Sequence, residues 1–190
     1  MNRVLRFVLA ALLACSALVL SACQNSPSGS NDKKTYKIGV LRIDDSLPLY
    51  TAESENLFAK HGVNVQVIEF SSAADQQKAM EAGELDGMMT DMIVTGLLKK
   101  AGTDVRVVAM ALGAVPQEGR FLVVSSPNSS LTTPQQLAGA AVAISENTMM
   151  EYLMNQYEQE LGIPAAEVHT VQMPNLALRT EAVLAGKDIQ

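Results

Sequence analysis

Few residues of this chain have the type and spacing for covalent or metal chemistry. Histidine occurs only at His61 and His169, and cysteine only at Cys15 and Cys23. No His, Cys or carboxylate grouping has metal-ligand spacing. No nucleophile can be matched with a base and an orienting group. His61 sits in Lys60-His61-Gly62, a helix ending where a cation suits the dipole. His169 opens a short strand pattern. Met88, Met89 and Met92 gather near one loop, and Met149, Met150 and Met154 near another. Thioethers can take Cu(I), but this spacing matches buried faces where Met fills gaps. The expectation is therefore no enzyme, no metal and no cofactor. What remains are carboxylates, hydroxyls and amides, whose chemistry is reversible binding or helix capping.

The elements that must position them follow from hydrophobic period. Short β-type runs occur at Tyr36–Ile43, Val63–Phe70, Asp86–Met89, Val105–Leu112, Phe121–Ser125, Ala140–Ile144 and Val168–Gln172. Helical patterns lie between them, over about 47–60, 73–82, 92–100, 134–138, 148–161 and 175–185. Met150, Leu153, Met154, Tyr157 and Leu161 make an apolar stripe, as do Ile93, Val94, Leu97, Leu98 and Ala101. Thr148-x-x-Glu151 reads as a capping box, and Thr133-Pro134-x-Gln136 puts Pro at the first helical position. Gly62, Gly83, Gly102 and Gly162 stand where helices close. Strands alternating with helices predict an α/β fold with a parallel or mixed sheet and right-handed crossovers. Asp86 opens a strand and reads as structural.

The first 35 residues have a different character. Arg3 and Arg6 precede an apolar run, Phe7–Leu20, which is followed by Leu20-Ser21-Ala22-Cys23. This is a basic region, an apolar region and a small-residue cleavage site. The run is too short for a transmembrane helix, which needs roughly 20 residues. The ending resembles a bacterial lipobox. It implies a signal peptide over 1–22 and a diacylated Cys23 holding the protein at the extracytoplasmic face of a membrane. Residues 24–35 are rich in Ser, Asn, Gly and Pro and read as a flexible tether. Its reach is on the order of 20 Å, from about 5–6 Å times the square root of its length. Without residues 1–22 the chain has 168 residues, with 12 basic against 20 acidic side chains once Arg3 and Arg6 are gone. That balance makes it a poor nucleic-acid binder. Loss of Cys15 and use of Cys23 would leave no disulfide.

Three phrases share one resemblance. They are YKIGVLRIDDSLPLYTAESENLFAKHGVNVQVIEF, SSAADQQKAMEAGELDGMMTDMIVTGLL and LTTPQQLAGAAVAI. Together they resemble the solute-binding proteins of ABC importers, in the nitrate/sulfonate/taurine and thiamine-precursor group, over about 36–187. The resemblance implies a two-lobe type 2 periplasmic-binding-protein fold with its ligand between the lobes. Residues 36–120 would form lobe one, and 121–190 the crossover and the start of lobe two. Ala185-Gly186-Lys187-Asp188-Ile189-Gln190 departs from the family pattern by stopping where more is expected, so a C-terminally truncated product is expected. A chain so shortened would be unstable or unable to close on a ligand.

In open α/β sheets ligands lie beyond the carboxyl ends of the strands. This gives Asp44, Asp45 and Ser46 after the first strand, Thr90 and Asp91 after the third, and Gly113 after the fourth. It gives Ser145, Asn147 and Thr148 in lobe two, and Asn175 after the last strand. The helix starts among them offer free N–H groups. Asp44, Asp45, Asp91 and Glu146 either cap helices and face water or make the cleft acidic. An acidic cleft would favour a thiamine-precursor-like heteroaromatic over a sulfonate- or nitrate-like anion. The partners implied are that solute, an ABC permease with its ATPase, and the membrane. The alternatives are a surface lipoprotein acting as a sensor, or a non-functional fragment.

Overall fold

The computed structural model describes residues 33–186. The expected signal peptide, Cys23 and nearly all of the tether lie outside the described residues, as does everything from Lys187 on.

The first half builds a three-stranded parallel sheet in the order β2-β1-β3. Strand β1 is Thr35–Leu41, β2 is Asn64–Phe70 and β3 is the short Gly87–Met88. Strand β1 pairs along its whole length with β2, from Thr35 opposite Asn64 to Leu41 opposite Phe70. On its other side Ile38 and Gly39 meet Gly87 and Met88. A parallel pairing needs a crossover. The first is made by a 3-10 turn, Asp44–Ser46, and two short helices, α1 (Leu47–Ser54) and α2 (Leu57–Lys60). The sequence predicts one helix over 47–60. The structure breaks it at Asn56, which sits in the left-handed region with φ 54°, a conformation Asn tolerates better than most residues. The second crossover is α3 (Ala73–Glu81), and α4 (Met92–Lys100) follows β3.

The predicted stripe on α4 turns inward, with Val94 and Leu98 buried, as are Val40 of β1 and Leu85. Burying side chains of this size contributes about 1.5–3 kcal/mol each. Gly39 is required by close packing: a Cβ there would come within 2.7 Å of Leu85 Cδ1. Asp86 is structural, as expected. Its carboxylate accepts from the Lys34 ammonium and the Lys37 N–H, and so ties the start of β3 to β1.

The second half forms a two-stranded parallel sheet, β4 (Ala141–Ile144) with β5 (His169–Gln172). Their crossover contains α5 (Met149–Leu161), and α6 (Leu176–Leu184) follows β5. Val142, Ile144, Met154 and Val168 form the core, with Leu137, Met150 and Ile163 packed against it. Thr148 caps α5 by accepting from the Met150 N–H. The predicted capping box is shifted by one residue, because the Glu151 carboxylate takes the Asn147 N–H rather than that of Thr148. The predicted helix at 134–138 is a 3-10 turn, Pro134–Leu137, with Gln136 Oε1 accepting from the Thr133 N–H at 2.9 Å.

Two predicted strands are absent. Val105–Leu112 and Phe121–Ser125 carry β-type residues yet form no ladder. Strand preference expresses packing against neighbours more than intrinsic backbone preference. Here no neighbouring strand among the described residues pairs with either run. Val108 stays 94% exposed and Leu122 72% exposed.

Candidate functional site

A cavity of about 520 Å³ opens where the carboxyl ends of β1, β3 and β4 converge. Its size lies in the range of small-molecule sites. It takes residues from both sheets, so the chain brings together loops far apart in sequence. Of the residues expected from sequence, Asp44, Asp45, Thr90, Asp91, Ser145 and Thr148 line it. Ser46, Gly113, Asn147 and Asn175 do not. Ser46 follows the two aspartates but is wholly buried behind the turn. Gly113 lies in the irregular segment after the missing fourth strand, exposed and with φ 94°. Asn147 is exposed and left-handed, with its N–H held by Glu151. Asn175 caps α6, its Oδ1 accepting from the Leu178 N–H at 3.0 Å. Glu146 is exposed outside the cavity, its N–H donating to Gln172 Oε1.

The lining residues divide by what already holds them. Asp91 Oδ1 accepts from the Val94 N–H at 2.8 Å and caps α4. Thr148 Oγ1 donates to the Ser145 carbonyl at 2.6 Å while accepting from Met150. These two are helix caps that also border the cavity. Asp44 and Asp45 behave otherwise. They form the 3-10 turn after β1, and that turn has no side-chain cap. Among the described residues neither carboxylate has a hydrogen bond or ion-pair partner.

Several lining residues were not foreseen. The loop after β2 leads into Ala73, the first residue of α3, which lines the cavity. One residue pair ties that loop to the start of α6, because the Leu176 N–H donates to the Ser71 carbonyl at 3.1 Å. Arg42 and Arg120 also line the cavity, so its lining carries charge of both signs. Arg120 lies at the head of the predicted strand that did not form, and only the three-dimensional path of that segment brings it in. Met89, Met149 and Met150 line the cavity as well, at positions the sequence assigns to packing. No group of three His, Cys, Asp or Glu among the described residues could hold a metal.

The charges on the walls are unequal in freedom. Arg42 Nη2 meets Glu69 Oε2 at 2.6 Å, and Tyr50 donates to Oε1 of the same carboxylate at 2.9 Å. The Arg42 bond, followed by the Tyr50 bond, holds the Glu69 carboxyl below its usual value. Glu69 and its hydrogen bond raise Arg42 in turn. Burial is the main reason the Tyr50 hydroxyl is pushed up, with Glu69 adding to it. Arg179, on α6, sits behind Ser145, with Nη1 at 3.4 Å from both Ser145 Oγ and the Met173 carbonyl. Burial alone lowers its guanidinium pKa, and no carboxylate pairs with it among the described residues.

The arrangement resembles solved two-lobe binding proteins. The alkanesulfonate-binding protein SsuA from Xanthomonas axonopodis pv. citri, bound to MOPS, matches with TM-score 0.63 and 20% identity, over 78% of this chain and 50% of that one. The periplasmic aliphatic sulphonate binding protein SsuA from Escherichia coli matches with TM-score 0.57 and 20% identity, over 78% and 47%. A ligand-binding component of an ABC-type import system from Staphylococcus aureus, with zinc bound, matches with TM-score 0.54 and 15% identity, over 80% and 51%. These likenesses show the type 2 periplasmic-binding-protein fold, and the chain spans about half the length of these structures. No curated protein matches the sequence. The family described as NMT1/THI5 like matches residues 44–187, most of the chain, so the chain belongs to that family.

Proposed function

We propose that this chain is a membrane-tethered solute-binding protein of an ABC importer. It captures a small polar solute between two lobes and delivers it to a permease driven by an ATPase. Residues 36–120 form the first lobe, and 121–190 form the crossover and part of the second. Cys23 carries the lipid at the extracytoplasmic face, and residues 24–35 are the tether. The observation that carries this reading is the cavity itself, because loops after β1, β3 and β4 reach it from two sheets. Capture between lobes needs a site whose two walls can move relative to each other. Family membership and the sulfonate-binding proteins of similar fold support the same reading.

The experiment has two arms. Calorimetric titration of the chain with an alkanesulfonate, nitrate and an aminopyrimidine is expected to give saturable binding for one of the three classes, at one site per chain. Metabolic palmitate labelling is expected to mark the wild-type chain in the membrane fraction and to leave the Cys23→Ser variant unlabelled. Absence of saturable binding in every class would refute capture. Equal labelling of the variant would refute the anchor.

A further inference from the structure

Two side-chain oxygens among the described residues are buried without a hydrogen-bond partner, Ser46 Oγ and Gln76 Oε1. Gln76 lies on α3 and is wholly buried. Its amide makes one bond, from Nε2 to the Met89 carbonyl at 3.1 Å. A flipped amide would set Oε1 against that carbonyl, so the bond fixes which way the group faces. The acceptor end is then left without a donor. A buried acceptor in that condition counts against stability. A methionine of similar length would fill the same space without one. What Gln76 holds is the exit of β3. The Met89 N–H donates to the Gly39 carbonyl of β1 at 2.9 Å, so Met89 is pinned by β1 at its N–H and by α3 at its carbonyl. Met89, Thr90 and Asp91 follow one another along the cavity wall. At the far end Asp91 is fixed to α4, through the Val94 N–H at 2.8 Å and the Thr95 hydroxyl, which donates to the Asp91 carbonyl at 2.8 Å.

We infer that Gln76 is a positioning residue of the cavity. Through the Met89 carbonyl it fixes where the backbone of Thr90 and Asp91 stands, and it does not itself line the wall. This rests on the capture reading above and adds a residue to it. A Met89 carbonyl freed from the bond would turn toward another donor, and the peptide leading into Thr90 would turn with it. A wall segment held at one end only must be ordered as a solute binds, and that ordering weakens binding.

The test uses whichever of propanesulfonate, nitrate and an aminopyrimidine binds the wild-type chain. Gln76→Met keeps the length and removes the donor. It is expected to melt close to wild type, to shift the Thr90 and Asp91 backbone amides in the ligand-free NMR spectrum, and to bind the probe about tenfold more weakly, the scale of one hydrogen bond. Gln76→Glu keeps the shape, and only its protonated carboxyl can donate to Met89. Its affinity relative to wild type should therefore climb as pH is lowered from about 8 to about 5, the range in which a buried carboxyl takes up its proton. Unchanged affinity in Gln76→Met would overturn the positioning role. So would a loss of affinity that comes with a lower melting temperature and unmoved Thr90 and Asp91 amides. If the variants fail to fold, the wild-type chain decides. The Gln76 side-chain amide should shift with Thr90 and Asp91 as the probe saturates, and saturable binding that leaves it still would overturn the role and leave capture standing. Binding of none of the three probes would overturn capture and this role with it.

Discussion

Asp44, Asp45 and Asp91 are one residue type at two strand ends, and their bonding separates them. Asp91 satisfies a helix N–H and would be missed mainly by α4; removing a cap of this kind costs about 1 kcal/mol. Among the described residues the Asp44 and Asp45 carboxylates have no hydrogen-bond or ion-pair partner, and both line the cavity. Position after a strand was legible in the sequence, because the rule depends only on strand order. Hydrogen-bond assignment was not, because it depends on a turn geometry that Asp44-Asp45-Ser46 shares with many caps. Elsewhere two carboxylates contribute to the acid response. Asp86 is held below its usual value first by its bond to Lys34, then by the Lys37 N–H, and Glu69 is held low by Arg42 and then Tyr50. A carboxyl with a depressed folded pKa stabilises the fold above its unfolded pKa, near 3.9–4.3. That contribution is lost as pH falls through the folded value. Denaturant midpoints are therefore expected to be level near neutrality and to fall below about pH 4. The Asp86→Asn and Glu69→Gln variants should show a weaker fall, and an undiminished fall in both would rule out these two groups as its source.

At the scale of elements, the sequence located β1, β2, β4 and β5 to within two residues, because each has a partner close by in the chain. It misplaced Val105–Leu112 and Phe121–Ser125 for the complementary reason. Their composition is that of strands, but a strand exists only where a ladder forms, and that partner cannot be read from local composition. The result is an extended apolar path with Val107, Val108, Met110, Leu122 and Val124 all exposed. Cavities of about 710 and 460 Å³ adjoin Phe121–Ser125. Exposed apolar side chains in such numbers invite association. The native chain should bind the dye ANS, and Leu122→Lys with Val124→Lys should lower the dye signal and raise the soluble yield. Because these side chains are exposed, their replacement is expected to change stability by only about 0.5 kcal/mol either way. A native chain that binds no ANS would show that the path is covered in solution.

At the scale of the whole molecule, the described residues place a cavity between two parallel sheets, with a hydrogen bond from the Leu176 N–H to the Ser71 carbonyl joining α6 to the loop after β2 beside it. The same fold is shared with binding proteins of which this chain covers about half. The general plan was legible because alternating strands and helices leave few topologies open. The charge of the cavity was not, since Arg120 enters it from a segment whose path is irregular. The central claim is that a solute is held by both walls of this cavity together. Backbone-amide NMR of the chain titrated in turn with an alkanesulfonate, nitrate and an aminopyrimidine tests it most directly. Saturable shifts are expected at Asp44–Ser46, Thr90–Asp91, Arg120 and Ser145–Thr148 in the same concentration range. Shifts confined to the loops of one sheet, shifts clustered elsewhere, or none at all would contradict it.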